Sequence, residues 1–163
     1  MGFLCPKKEI IYRGGVVRFF IPKHWNEEYE KDGGGTFYES GDNTGTLRVN
    51  VISFLTKKDA PSDWPMTILK DRSINYSGQI EELAENRYML KYSASFREAG
   101  EDLLMFRWEV GKMVSPRDCN IAAFGFAVTA AQSQSSSILH EISSIEAEIK
   151  EVRFGMHGDS YEQ

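Results

Sequence analysis

An α+β fold, an antiparallel β-sheet flanked by helices, is predicted by three features of this 163-residue sequence. Between Tyr88 and Val128 apolar residues recur with period two, as strands with one buried face require. Toward the C-terminal end Ile138, Ile142, Ile145 and Ile149 recur at the spacing of one helical stripe. In the first half, glycine, asparagine and aspartate punctuate short apolar runs, which is the turn chemistry that joins strands.

The elements follow in order. "EIIY" (Glu9 to Tyr12) and "VVRFFI" (Val16 to Ile21) are β-rich runs separated by Arg13-Gly14-Gly15, which predicts a hairpin. Pro22 removes a ladder donor and ends the second run. "KHWNEEYEKD", acidic at its start, reads as a single helical turn, and Gly33 to Gly35 as the loop that lets the chain reverse. "TFYES" and "TLRVNVISFL", joined by "GDNTG", predict a second hairpin. In "APSDWPMTILKDRSI", Ser62 or Asp63 caps a helix of roughly two to three turns, Pro65 suits its first turn, and Trp64 and Ile68 share a face.

From Gln79 the period is two. Tyr88, Leu90, Tyr92, Ala94 and Phe96 share one side of a strand, and after "EAGED" Leu104, Phe106, Trp108 and Val110 share a side of the next, so a meander is expected. After "SPRD", Phe124, Phe126 and Val128 alternate with Ala123, Gly125 and Ala127, giving one bulky face and one nearly bare face that a helix can approach closely. The following "SQSSSILHEISSIEAEIKEV" is that helix, with His140, Ser144 and Glu151 on its polar side. The expected organisation is one domain over residues 1–154 and a frayed tail over 155–163.

Composition narrows the function classes. An apolar content of 41% is enough for a sizeable core, and a net charge of -5 without a Lys/Arg run beyond Lys7-Lys8 and Lys57-Lys58 argues against a nucleic acid partner. Cys5 and Cys119 have neither disulfide-framework nor zinc spacing, which fits a reducing, cytoplasmic location. No secretory leader or membrane span is read, Pro6 breaks a myristoylation motif at Gly2, and the Asn75-Tyr76-Ser77 sequon is idle in a cytoplasmic chain.

No residue set spells out a catalytic machine, and no cofactor or metal is expected. His24, His140 and His157 lie outside any nucleophile or zincin motif. Glu27, Glu28, Glu30 and Asp32 lack a calcium-loop register and read as a solvated helix start, while Glu98, Glu101 and Asp102 read as a hairpin tip. The glycine triplet has no Lys-Ser/Thr pair after it, so a phosphate loop is not indicated. Trp64 and Trp108 fall on buried stripes; Trp25 is either a plug over the sheet edge or a binding anchor.

A mixed surface is the more promising feature. Opposite the aromatic stripes, Met89, Lys91, Ser93 and Arg97 on one strand, and Leu103, Met105, Arg107, Glu109 and Met113 on the next, are expected to form one sheet face. Methionine repacks easily and arginine is enriched at interfaces, so this face suits a protein partner; alternatively a helix covers it and the methionines are core filling. The expected partner-binding residues are Trp25, Met89, Lys91, Leu103, Met105, Arg107 and Glu109, for a protein partner or a homodimer. The competing expectation is a small-ligand protein or enzyme with a pocket near His24 and Trp25, using Glu27 or Glu28 beside the imidazole.

With its opening strand closing in "FFIPKHW" and its final "SSILHEISSIE" helix after an aromatic strand, the chain resembles the PsbP-like α/β/α fold. That group includes a photosystem subunit, a nuclear-import factor that binds a small GTPase, and bacterial chaperones of type VI secretion effectors. The resemblance implies a non-enzymatic binding or stabilising protein, such as an effector chaperone, adaptor or immunity protein, and carries no catalytic set onto these positions.

Overall fold

The structure, a computed structural model, describes residues 2–41 and 44–156. The middle of the "GDNTG" turn and the tail from His157 lie outside the described residues. Strands β1 (Lys7–Tyr12) and β2 (Val17–Pro22) form the first hairpin around a 3-10 turn at Arg13–Gly15, and the short β10 (Arg153–Phe154) adds to β2, making a three-stranded sheet. Strands β3 (Asn26–Tyr29), β4 (Gly35–Tyr38), β5 (Thr46–Leu55), β6 (Gln79–Leu83), β7 (Arg87–Glu98), β8 (Glu101–Ser115) and β9 (Asp118–Thr129) build the main sheet. Its seven strands run in the order β3-β4-β5-β9-β8-β7-β6, every neighbouring pair antiparallel. The meander from β6 to β9 is as expected, and the β4–β5 hairpin extends it.

One expectation fails locally. "NEEY" is not a helical turn but the edge strand β3, paired from Asn26↔Tyr38 to Tyr29↔Gly35. Its acids find partners that a helical turn would not offer: Glu27 pairs with Lys8 at 2.7 Å and accepts from the Tyr29 hydroxyl, while Glu28 accepts from the Tyr38 hydroxyl on β4. A charged, fully exposed strand is also a suitable sheet edge, because it discourages pairing with another chain. The reversal into β4 uses Gly33 and Gly34 at φ 94 and 104, where a side chain would be strained.

Helix α1 (Trp64–Arg72) has Pro65 in its first turn, and helix α2 (Ser136–Lys150) is capped by Ser135, whose hydroxyl accepts from the Ile138 amide. The two lie on opposite faces of the main sheet. On one face α2 and the small sheet enclose Phe19, Trp25, Phe37, Met89, Trp108, Phe124 and Phe126; on the other α1 covers Tyr88, Leu90, Cys119 and Ile121. Each fully buried side chain of this size contributes about 1.5–3 kcal/mol. Gly111 permits the second contact: a Cβ there would stand 3.0 Å from Pro65 and 2.7 Å from Ile121. Arg87, 7% exposed, fixes the far end of α2 by donating to the carbonyls of Lys150 and Val152, a cation placed at a helix C-terminus.

The register corrects the expected faces. Lys91 pairs with Trp108 and Tyr92 with Arg107, so the aromatic stripe of β7 and the aromatic stripe of β8 point to opposite sides of the sheet. Likewise α2 packs on the bulky side of β9, not its bare side, because the phenylalanines supply the area to bury. Ser144, expected among the polar residues of α2, is 2% exposed and returns its hydroxyl to the His140 carbonyl. No helix of the described residues is long and apolar enough to cross a membrane.

Candidate functional site

Helix α1 is nine residues long and covers only part of its face of the sheet, over Gly111 and Ile121. Beyond its C-terminal end the same face continues without a helix over it, through Arg48 and Asn50 of β5, Ala123, Gly125 and Ala127 of β9, and Leu103, Met105 and Arg107 of β8. Arg48 and Arg107 are both Cα partners of Gly125, so the two arginines straddle a glycine in one row across the sheet. A Cβ on Gly125 would meet Met105 Sδ at 2.8 Å and Arg107 Cδ at 3.4 Å: the absent side chain is what lets Met105 and the stem of Arg107 lie flat on the floor. A shallow cavity of about 290 Å³ results, bounded by Glu30, Gly33 and Gly34 at the β3–β4 turn.

Electrostatics single out Arg107. Glu109, one row toward α1, is 1% exposed, and both its carboxylate oxygens are engaged by Arg72 at the end of α1, Nε to Oε1 at 2.5 Å and Nη2 to Oε2 at 3.0 Å. This bidentate pair leaves Arg107 only a 3.5 Å contact from Nη2 to Glu109 Oε2. Its Nε is the buried side-chain nitrogen without a hydrogen-bond partner among the described residues. Arg48 is exposed and has no ion-pair partner among them either. Beyond Arg107 in the same row, Tyr92 stacks on Tyr76 with ring centroids 4.2 Å apart.

The structure therefore separates the residues expected to share one face. Leu103, Met105 and Arg107 lie together on the uncovered half-face; Glu109 shares it but is buried as the counter-ion of Arg72; Met113, farther along, packs with the α1 cluster. Met89 and Lys91 are on the other side of the sheet, Met89 at 1% exposure in the core and Lys91 at the surface, where it meets Glu146 at 2.8 Å. Ser93 and Arg97 belong to that side too. Trp25 is 3% exposed and packs edge-on against Phe3 at 5.5 Å, so it is a plug and its indole is not free to anchor a partner. Arg48, Asn50 and Arg72 were not singled out in the sequence; the signal that could have found Arg48 is the bare Ala123-Gly125-Ala127 alternation, which marks the face on which facing residues of a paired strand gather.

A second groove lies on the opposite face between α2 and β7, about 440 Å³, with Phe106, Trp108 and Ile142 below Lys91 and Glu146. Glu146 accepts from the Trp108 indole at 2.9 Å; burial alone would raise its pKa, but the Lys91 and Trp108 hydrogen bonds hold it below the ordinary carboxylate value. This is internal satisfaction of a half-buried carboxylate.

His24 does reach a carboxylate, but it is Glu39 at 3.1 Å and not Glu27 or Glu28, and both side chains are well exposed, at 55% and 40%. With Trp25 turned into the core, the expected His24–Trp25 pair is not brought together around one space. Nearby Glu141 on α2 has its pKa raised to about 7, chiefly by burial and then by Glu39. Burial also pushes the Cys119 thiol up to about 12, which makes it inert as a nucleophile. Among the described residues no three His, Cys, Asp or Glu side chains gather as a metal site. At the β7–β8 tip Arg97 pairs with Asp102 at 2.7 Å in solvent, and His140 is exposed on α2.

No protein-family model and no curated protein matches this chain. Solved structures do. One from Bacteroides thetaiotaomicron superposes with a TM-score of 0.65 at 17% identity over 94% of this chain and 50% of that one, so the chain spans half the length of that relative. LpqN, involved in cell envelope biogenesis of Mycobacterium tuberculosis, gives 0.60 at 9% identity over 95% of this chain and 88% of that one. The Saccharomyces cerevisiae Ran-binding protein Mog1p gives 0.56 at 8% identity over 94% and 98%. None of these speaks for the effector-chaperone role. What they share with this chain is an α+β architecture on a mostly antiparallel sheet, and the likeness is consistent with the PsbP-like expectation at the level of fold.

Proposed function

We propose that this chain is a non-catalytic protein-binding module of the adaptor, immunity or effector-chaperone kind, acting in the cytoplasm and engaging its partner through the half-face beyond α1. The observation that carries this reading is the uncovered row of Leu103, Met105 and Arg107 beside Ala127 and Gly125, partly exposed apolar and small residues next to an arginine with unspent donors. Methionine, arginine and a flat, open floor suit a partner surface better than a small molecule, whose sites bury most of the ligand. Mog1p, a fold neighbour, is named for binding Ran, which is precedent for this architecture presenting a surface to another protein.

The test is a pull-down of the tagged chain from lysate of its source cells beside the variant Met105→Glu/Arg107→Glu. A partner retained by the parent and lost by the folded variant is the expected result. Equal retention by both would refute the assignment of this face.

A further inference from the structure

We infer that the Arg48–Gly125–Arg107 row is an acid pinch, a subsite that takes a carboxylate side chain from an extended, acidic segment of the protein partner. This rests on the reading of the half-face as a protein-binding surface and adds the chemistry of what binds there. Three facts converge on it. First, two arginines flank one glycine as its Cα partners, about 10 Å apart across two strand spacings, which arginine side chains can bridge toward a carboxylate above Gly125.

Second, the guanidinium of Arg107 is short of acceptors. Arg72 occupies both oxygens of Glu109, the Arg107 contact to that carboxylate is 3.5 Å, and its Nε is buried with no partner among the described residues. A buried donor left unpaired is costly, and a carboxylate that draws the Arg107 guanidinium up from the floor removes that cost by accepting in the fork geometry that arginine presents. Third, Gly125 has no Cβ, so the Arg107 side chain can lie across it, with Nη1 3.6 Å from where a Cβ would be, which holds the guanidinium at the row.

Charge selects the occupant. The chain as a whole is acidic at -5, yet Arg48, Arg72 and Arg107 gather here against Glu109 and Glu30. The cavity, about 290 Å³ and open along the sheet, suits one side chain of a longer segment rather than an enclosed metabolite. Glu30 lines the same cavity at the glycine turn and opposes an incoming acid, so the two arginines bind against its charge.

The test uses the full chain labelled with 15N and a short peptide alternating threonine and aspartate, with a threonine–asparagine peptide as control. The aspartate peptide is expected to shift the Gly125 amide and the Arg48 and Arg107 side-chain signals saturably, and to lose most of its affinity in about 1 M salt. Arg48→Gln, at an exposed position, should weaken binding roughly tenfold or more, and Glu30→Gln should strengthen it. Gly125→Ala, whose methyl would press on Met105 Sδ and Arg107 Cδ and displace that guanidinium without touching charge, should also weaken it.

No shift at the row, an equal response to the asparagine peptide, or Arg48→Gln binding like the parent would each overturn the pinch. So would inorganic phosphate shifting the same signals as strongly as the peptide, which would make the row a free-anion site. Concentration-dependent broadening of these signals without peptide would place a second copy there, again against the proposal. Failure here with partner capture still lost in the Met105→Glu/Arg107→Glu variant would leave the binding module standing and remove only the acidic anchor.

Discussion

The Arg72–Glu109 pair fastens the end of α1 to the sheet and thereby leaves Arg107 without a close acceptor. Glu109 is 1% exposed, and Arg72 supplies both of its short hydrogen bonds, at 2.5 and 3.0 Å. Replacing Arg72 with leucine leaves a buried carboxylate without its main counter-ion, a change that typically costs about 3–5 kcal/mol. The low end, about 3 kcal/mol, applies because Arg107 already stands 3.5 Å away and can close on the vacated oxygens. With roughly 2.1 cal/mol/K of unfolding entropy per residue, a 163-residue chain loses about 9 °C in Tm. The double variant Arg72→Leu/Glu109→Leu removes both charges and should cost about 1 kcal/mol or less. Urea unfolding followed by tryptophan fluorescence measures all of these, with m unchanged if two-state behaviour holds. A loss under about 1 kcal/mol for Arg72→Leu, or a double variant as unstable as the single, would refute the view of Glu109 as a carboxylate dependent on Arg72.

Further outcomes follow from the same structure. Glu141 binds its proton more tightly when folded, with a pKa of about 7 against an ordinary 4.5, so its contribution favours folding below pH 4.5 and is lost as pH rises to about 7. Glu141→Gln should flatten the stability-versus-pH curve across that window and stabilise the chain above it, as thermal unfolding at a series of pH values would show. Trp25→Ala should cost about 3–5 kcal/mol in urea unfolding, the loss of a buried aromatic, while partner capture by the remaining folded protein stays intact. Gly111→Ala forces its methyl against Ile121 and Pro65 and should cost about 1–3 kcal/mol, seen as a lower urea midpoint and faster amide exchange in α1.

Much of this molecule was legible from local signals. The period-two runs gave β7, β8 and β9, and the isoleucine stripe gave the buried side of α2, because strand and helix periodicity record which side chains leave water. The proline marked the first turn of α1, although Asp63 at its N-cap makes no side-chain cap hydrogen bond. The glycine turns gave the hairpins for an equally local reason, the sterics of positive φ. Trp25 was not decided this way: a tryptophan after a proline stop fits a plug or an anchor, it was expected among the partner-binding residues, and only its packing against Phe3 in the core makes it a plug.

What the sequence could not carry is how adjacent strands align. Within one strand, alternation says which residues share a side; between strands, the side is set by register, and a shift of one residue exchanges the faces. That is why Met89 and Lys91 fell away from Leu103, Met105 and Arg107, and why β3 became an edge strand once Lys8 and Tyr38 were there to receive its acids. It is also why Arg48, unremarkable in its own strand, became part of the candidate site: only pairing of β5 and β8 on either side of β9 brings it and Arg107 to the two flanks of Gly125. Periodicity is a property of one segment, whereas a site made of a row across three strands exists only when hydrogen-bond ladders fix their relative positions.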